Sequence, residues 1–301
     1  MDVRLFVVAW RETYVSSALA DAARRIGLDA ELVNPPEAER RASPGDLVLS
    51  YLDVRPLLDG IEPGLASLRK LMRRGVSVLN GPEALRACHD KLVTALRLGR
   101  AGVPHPDTAY LSAASRREDV SRLRFPLVVK PRFGSRGEWV AACADPDELA
   151  VHLERLRPRG WFRRHGALIQ EFVPPVGHDL RILVAGGRAV GAVRRVAPPG
   201  EWRTNVALGA SRRPLQPQPH ACELAVAAAA ATGADLAGVD LIPWPDGALS
   251  VLEVNAAPEF TAAYSLDGRD VFEAAVLALL LPEPAAASFP PATARFLEPA
   301  G

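Results

Sequence analysis

Two apolar runs near the C-terminal end of this 301-residue chain, Gly238-Val239-Asp240-Leu241 and Leu252-Glu253-Val254-Asn255, carry three oxygen-bearing side chains. Between them lies Pro245-Asp246-Gly247, a turn sequence. Side chains alternate along a strand, so Glu253 and Asn255 share a face, and a hairpin closed at that turn lays Asp240 beside them. Two carboxylates and an amide oxygen form an incomplete shell, which phosphate oxygens and water would complete around Mg²⁺. The competing reading is a solvated strand end with acids on its rim. Acids set inside apolar runs are expensive unless paired or metal-bound, which favours the metal site.

Phosphate-binding candidates come earlier. The run Val128-Val129-Lys130-Pro131-Arg132-Phe133-Gly134-Ser135-Arg136-Gly137 delivers a lysine from a strand to a loop whose glycines let backbone N–H groups close on phosphates. An ordinary hairpin turn also uses Gly and Ser. Composition sharpens the choice, because the chain holds 33 arginines and only three lysines, Lys70, Lys91 and Lys130. Where only surface charge is wanted this sequence writes Arg, so a surviving Lys marks either a place that needs a compact ammonium or chance retention on a solvated helix. Lys91, on the helix that enters the same section, is a second ammonium for a phosphate tail.

In Leu168-Ile169-Gln170-Glu171-Phe172-Val173 an apolar strand breaks at Pro174-Pro175, leaving main-chain groups near Glu171 and Val173 to pair with an adenine edge. Asp179, two residues after Gly177, can accept from ribose hydroxyls. Arg194-Arg195 and the loop Trp202-Arg203-Thr204-Asn205 supply cations and an amide donor suited to charge on a transferring phosphoryl group. A solvated basic loop fits the same residues.

Periodicity and breakers place these groups. Strands are expected at 3–9, 46–50 and 76–79 with helices at 16–26 and 65–74, a small open α/β domain over 1–82. The next section, 83–175, holds a helix at 90–100, strands at 125–130 and 138–143, a helix at 146–156 and a strand at 167–172. In 176–281, strands 179–185 and 188–196 turn at Gly186-Gly187, helix 221–232 follows, then the hairpin 238–244 and 248–255 and a helix at 271–280. Residues 282–301 read as a loosely ordered tail rich in Pro and Ala.

A net charge of +1 gives no general attraction to nucleic acid or an anionic membrane, so any anion site is local. Cys88, Cys143 and Cys222 lack disulfide or zinc spacing. The apolar run at 5–9 is too short for a signal peptide, and 274–281 is too short to span a bilayer. A cytoplasmic location is expected.

Taken in order, Asp90-Lys91, Val129-Lys130-Pro131 with Gly134-Ser135-Arg136-Gly137, Gln170-Glu171-Phe172-Val173, Asp179-Leu180-Arg181, Arg203-Thr204-Asn205, Gly238-Val239-Asp240-Leu241 and Glu253-Val254-Asn255 resemble the ATP-grasp superfamily. Over about 80–280 they resemble more closely its RimK/LysX-like carboxylate-amine ligases. The resemblance implies an α/β fold of two α+β lobes, 83–175 and 176–281, preceded by the small open domain, with ATP between the lobes. It implies Lys91 and Lys130 on the phosphates under the loop of Ser135 and Gly137. Gln170, Glu171, Phe172 and Val173 would line adenine, Asp179 the ribose, and Arg203 and Asn205 the γ-phosphate. Asp240, Glu253 and Asn255 would hold Mg²⁺, with Mn²⁺ as a substitute, and Arg194 or Arg195, helped by Arg203, would stabilise acyl-phosphate formation. Residues 255–260 lean toward the LysX-like branch, which joins an amino acid to a glutamate of a carrier protein. The implied partners are a small amino acid and a carrier peptide or protein acceptor, with no nucleic acid or membrane, and a homo-oligomer is compatible. The loop continues Gly137-Glu138-Trp139 where many relatives carry a further Gly. An ATP-grasp small-molecule kinase and a non-catalytic nucleotide-binding protein are the rival functions.

Overall fold

The computed structural model describes residues 3–55, 58, 60–114, 124–283 and 296–297. The first unit alternates β1 (Arg4–Val8), α1 (Tyr14–Arg25), β2 (Asp29–Val33), α2 (Pro35–Arg41), β3 (Leu47–Ser50), α3 (Leu65–Arg73) and β4 (Ser77–Leu79). Its sheet is parallel, in the order β2-β1-β3-β4. Sequence reasoning missed β2 and α2. The first carries Asp29 and Glu31 among its five residues, and the second opens on a Pro35-Pro36 pair that reads as loop. A capping box supplies the missing helix signal: Asn34 accepts from Glu37 N–H while the Glu37 side chain accepts from Asn34 N–H.

Next come α4 (Pro82–His89), α5 (Lys91–Arg100), β5 (Thr108–Leu111), β6 (Leu127–Pro131), β7 (Ala141–Cys143), α6 (Pro146–Leu156), α7 (Gly160–His165) and β8 (Ala167–Glu171). The sheet runs β5-β8-β6-β7, antiparallel. The strand expected from 138 begins only at Ala141, because 136–139 form a turn in which Arg136, Gly137 and Trp139 all take positive φ.

The last unit holds β9 (His178–Ala185), β10 (Arg188–Val196), β11 (Ser211–Pro214), α8 (Pro219–Thr232), β12 (Leu236–Pro243), β13 (Leu249–Asn255) and α9 (Val271–Leu280). Its antiparallel sheet is ordered β11-β10-β9-β12-β13. One face, with Ile182, Val184, Ala192, Val239 and Leu241, packs on the Ala-rich α8. The other, with Leu183, Ala185, Val193 and Leu236, packs on Val271, Phe272, Ala275 and Val276 of α9 and reaches Val15 and Leu19 of α1. The expected tail over 282–301 falls largely outside the described residues; within it Phe296–Leu297 form β14, parallel to β5.

A buried amide ties the first unit to the last. Asn80 Oδ1 accepts from the N–H groups of Asp235 (2.8 Å) and Leu236 (3.0 Å), and Nδ2 donates to the carbonyls of Leu236 (2.8 Å) and Ala256 (2.9 Å). Its own N–H donates to Asp235 Oδ2 at 2.6 Å. Asn80→Ala would strand four buried main-chain groups and is expected to lower unfolding stability by about 3 kcal/mol. Denaturant unfolding of wild type and variant measures it, and a loss below about 1 kcal/mol would show the junction carries little of the stability.

Candidate active site

The face of the C-terminal sheet that buries Leu183, Val193 and Leu236 changes character toward its other end. There the same alternation presents Asp179 and Arg181 from β9, Arg195 from β10 and Asp240 from β12, and Glu253 from β13 lies opposite Asp240. Asp179 faces Arg195 in register, and Arg181 faces Asp240. Arg195 forks onto Asp179, with Nε to Oδ1 at 2.8 Å, and its Nη2 also donates to Asp240 Oδ2 at 2.8 Å. Arg181 clamps the same Asp240 through Nε (2.5 Å) and Nη2 (2.7 Å). Burial works against the charge on Asp240, but Arg181 and Arg195 outweigh it and hold the carboxyl below its usual range. Asp179 has only one guanidinium, and burial pushes its carboxyl up.

A cleft of about 1070 Å³, counting the part open to solvent, separates this face from the central sheet. Val128 and Lys130 of β6 and Gln170 of β8 form its far wall, with Val128 and Gln170 paired in register. Lys130 is 6% exposed and its Nζ forms no hydrogen bond or ion pair among the described residues. Burial, aided by Lys91 and opposed by Glu253 and Asp240, pulls that amine down to about 8. Lys91 Nζ donates to Gly134 O at 2.6 Å and lies 3.1 Å from Glu253 Oε1, joining the glycine loop to the acidic hairpin.

Most of the residues singled out from the sequence meet here: Lys91, Lys130, Ser135, Gly137, Gln170, Glu171, Phe172, Val173, Asp179, Arg195, Arg203, Asn205, Asp240 and Glu253 all line the cleft. Three expectations need correction. Arg194 is exposed on the opposite face of β10, because neighbours on a strand point to opposite sides, so only Arg195 can act in the cleft. Asp179 is 2% exposed and its oxygens accept from Arg195 and from the Thr204 hydroxyl, which commits it to orienting Arg195 instead of meeting a ribose. The Glu171 N–H is already donated to Asp107 O at 2.9 Å and that of Phe172 to Pro126 O at 3.1 Å, which leaves Val173 as the main-chain donor for a ligand edge.

The loop after β10 closes the cleft. Arg203 pairs with Glu201 at 2.7 Å and draws that carboxyl down to about 2. Trp202 stacks edge-on against Phe172, ring centroids 5.4 Å apart. Gly137, at φ +73°, passes so close to Asn205 that a Cβ there would lie 2.8 Å from its Oδ1. Sequence reasoning quoted Arg181, Trp202, Thr204, Asp90 and Arg132 within its motifs but gave none of them a role of its own at the site; the 2.6 Å Asp90–Arg132 bridge fixes the root of the glycine loop to the cap of α5. Arg181 was detectable, since it stands two residues from Asp179 and so shares its face.

A divalent cation fits the donor set in part. Glu253 and Asn255 share a face of β13; a cation would use the Asn255 Oδ1, while its Nδ2, buried without a partner, is free to donate to an acceptor such as a phosphate oxygen. Both Asp240 oxygens already accept from guanidiniums. Among the described residues no cluster of three His, Cys, Asp or Glu could hold a metal alone. An ion held by Glu253 and Asn255 would need further ligands such as phosphate oxygens or water.

The model of the RimK-like ATP-grasp domain matches residues 88–275. The chain belongs to the RimK-like ATP-grasp family. Its family relatives include a protein of Hahella chejuensis named "Probable alpha-L-glutamate ligase 2", 34% identical over 276 residues, 86% of this chain and 88% of that one. The "Glutamate--LysW ligase ArgX" of Sulfurisphaera tokodaii is 31% identical over 197 residues, 65% and 70% of the two chains. Across such relatives this chain spans from 50% to 89% of their length. The ATP-grasp ligase PsnB, solved with a precursor variant, Mg and ADP, superposes with a TM-score of 0.65 at 19% identity, covering 93% of this chain and 98% of that one, a likeness of fold.

The lowered Lys130 amine makes a pH prediction for this RimK-like cleft. An ammonium near 8 is charged at pH 7 and mostly neutral at pH 9, so affinity for the non-hydrolysable analogue AMPPNP should fall about tenfold across that interval. Lys130→Arg should bind more weakly throughout, since a broad guanidinium does not fit a site built for an ammonium, and should lose the pH step. A flat wild-type profile in calorimetric titrations would remove Lys130 from the phosphate site.

Proposed function

We propose that this chain transfers the γ-phosphoryl group of ATP to a carboxylate and then lets an amine attack the acyl phosphate, forming an amide. The observation that carries the reading is the Lys130 ammonium, without a partner among the described residues, facing across one cleft an Arg195 held rigid by two buried carboxylates. The first is a counter-charge waiting for a phosphate. The second is a preorganised cation for charge that develops during transfer, and its orientation costs no rearrangement at the moment of reaction.

Family relatives named as ligases support the reaction class. In the proposed arrangement adenine lies along Phe172 and Val173, the phosphates run under Ser135 and Gly137 to Lys91 and Lys130, and Arg203 and Asn205 cover the γ end. Glu253 and Asn255, with Asp240 behind them, would hold Mg²⁺, or Mn²⁺ in its place; such an ion screens phosphate charge. Names of relatives favour glutamate as the small amino acid, and a carrier peptide or protein as the acceptor. Among the described residues no helix is long and apolar enough to cross a membrane, in keeping with a proposed cytoplasmic enzyme.

A kinase acting on an alcohol would need a general base beside the γ-phosphate. The acids nearest Arg195, Asp179 and Asp240, are locked in ion pairs, whereas a carboxylate nucleophile needs no base. With its acid substrate, ATP and hydroxylamine in place of the amine, the enzyme is therefore expected to form a hydroxamate. A stable phosphate ester without hydroxamate would replace this reading with the kinase.

Glu253→Gln removes one anionic ligand and leaves Lys91 uncompensated. ADP formation at fixed Mg²⁺ should drop on the order of a hundredfold with the thermal unfolding midpoint unchanged. Unaltered turnover would clear the hairpin of any role at the metal.

A further inference from the structure

Beside the nucleotide cleft, and sharing Gly134, Ser135, Arg136 and Glu138 with it, lies a wider chamber of about 2530 Å³ counting the part open to solvent. Its walls come from the loop before α1, from Tyr51, Asp53, Val54, Arg55, Leu58 and Glu62, from α7 and from the 257–261 loop. The described lining carries Arg11, Arg55, Arg136, Arg159, Arg164 and Arg212 against Asp53, Glu62, Glu138 and Glu259, so cations exceed acids by two. One of these cations has a buried donor nitrogen without a partner. Arg212 of β11 lines the chamber, its Nε is buried with no hydrogen-bond partner, and among the described residues it forms no ion pair.

Its position gives that isolation a meaning. Arg212 lies directly opposite Arg195 in the β10–β11 register, so the two side chains share a sheet face, one strand spacing of about 4.8 Å apart. Like charges so placed repel unless each is compensated. Asp179 and Asp240 compensate Arg195. Nothing in the described protein does so for Arg212. Arg195 lines the nucleotide cleft and Arg212 the chamber, so the pair straddles the boundary where an acid from the chamber would meet the γ-phosphate. A second unpartnered donor, Trp161 Nε1, belongs to another wall of the same chamber.

We propose that Arg212 is a specificity-determining residue that holds an anionic group of the acid substrate other than the carboxylate being phosphorylated. The assignment rests on the ligase reading for which carboxylate reacts. The substrate class it selects is an acid with a second oxyanion a few bonds from the first, lodged in the chamber with its reacting end toward Arg195. Guanidinium–carboxylate contact is bidentate and charge-assisted, so a neutral analogue of equal size would forfeit it.

Calorimetric titration of L-glutamate, citrate and L-glutamine into the full chain loaded with AMPPNP and Mg²⁺ tests this without turnover. Wild type should bind at least one of the two poly-acids, and Arg212→Gln should weaken that binding at least about tenfold. Arg212→Lys should recover part of the loss. Affinity for L-glutamine and for AMPPNP should stay level across all three proteins. Equal poly-acid affinity in wild type and Arg212→Gln, absence of poly-acid binding to wild type, or a loss of AMPPNP affinity in Arg212→Lys would each overturn the assignment. Hydroxamate formation is read separately: poly-acid binding that depends on Arg212 without any hydroxamate rejects the ligase and leaves the anion site standing.

Discussion

Everything at the reaction centre hangs on the sharing of Arg195 between Asp179 and Asp240. Three charges within the interior of a sheet are costly to desolvate, and such a cluster is weak evidence for stability. It does supply orientation. Bidentate contact with Asp179 fixes the plane of the Arg195 guanidinium, and Arg181 fixes Asp240 from the other side, so no member can rotate without breaking a second bond. The neighbouring apolar residues make this possible. Leu183, Val193 and Leu236, on the same face one turn of the pleat further along, are anchored against α9, so the charged end inherits a backbone that cannot relax.

Lys130 illustrates the opposite use of burial. Its ammonium has the desolvation of a core residue but, among the described residues, no hydrogen-bond or ion-pair partner. Because the amine titrates near 8 when folded and near 10.5 when free, the folded chain holds this proton less tightly than the unfolded one. The group therefore opposes folding below about pH 8, and that opposition fades as pH rises from about 8 to about 10.5. Such a group is the one a bound anion would compensate, as the proposed phosphate role of Lys130 requires.

The sequence made the strand-borne residues legible because alternation in a strand is a strict rule. Asp240, Glu253 and Asn255 could be placed together from two apolar runs and a turn, and the register bears out the pairing of Asp240 with Glu253. The same rule, applied to Arg194-Arg195, would have chosen one face, but which face was buried depends on α8 and α9, which a local pattern does not reveal. Loop geometry was the least legible. The late start of β7 follows from a local turn of positive-φ residues, while the locking of Asp179 by Arg195 and Thr204 and the closure of Gly137 on Asn205 follow from contacts between separate segments. Arg132 shows the same limit, since it reads as one basic residue in a loop until Asp90, 42 positions away, is seen to hold it.

Those distant contacts converge on Lys91. Its backbone N–H donates to Arg132 O, its ammonium to Gly134 O, and its charge faces Glu253. One residue at the start of α5 thus touches the root of the glycine loop, the loop itself and the acidic hairpin. Asp90, immediately before it, caps α5 and bridges Arg132, so the helix end and the loop root move as one piece. A phosphate entering under Ser135 and Gly137 would compete with Gly134 O for the Lys91 ammonium, while a cation on Glu253 would compete with that same ammonium for the carboxylate. Occupation of either position weakens the existing contact that resists the other. Lys91 is therefore the residue through which a bound nucleotide and a cation would favour each other.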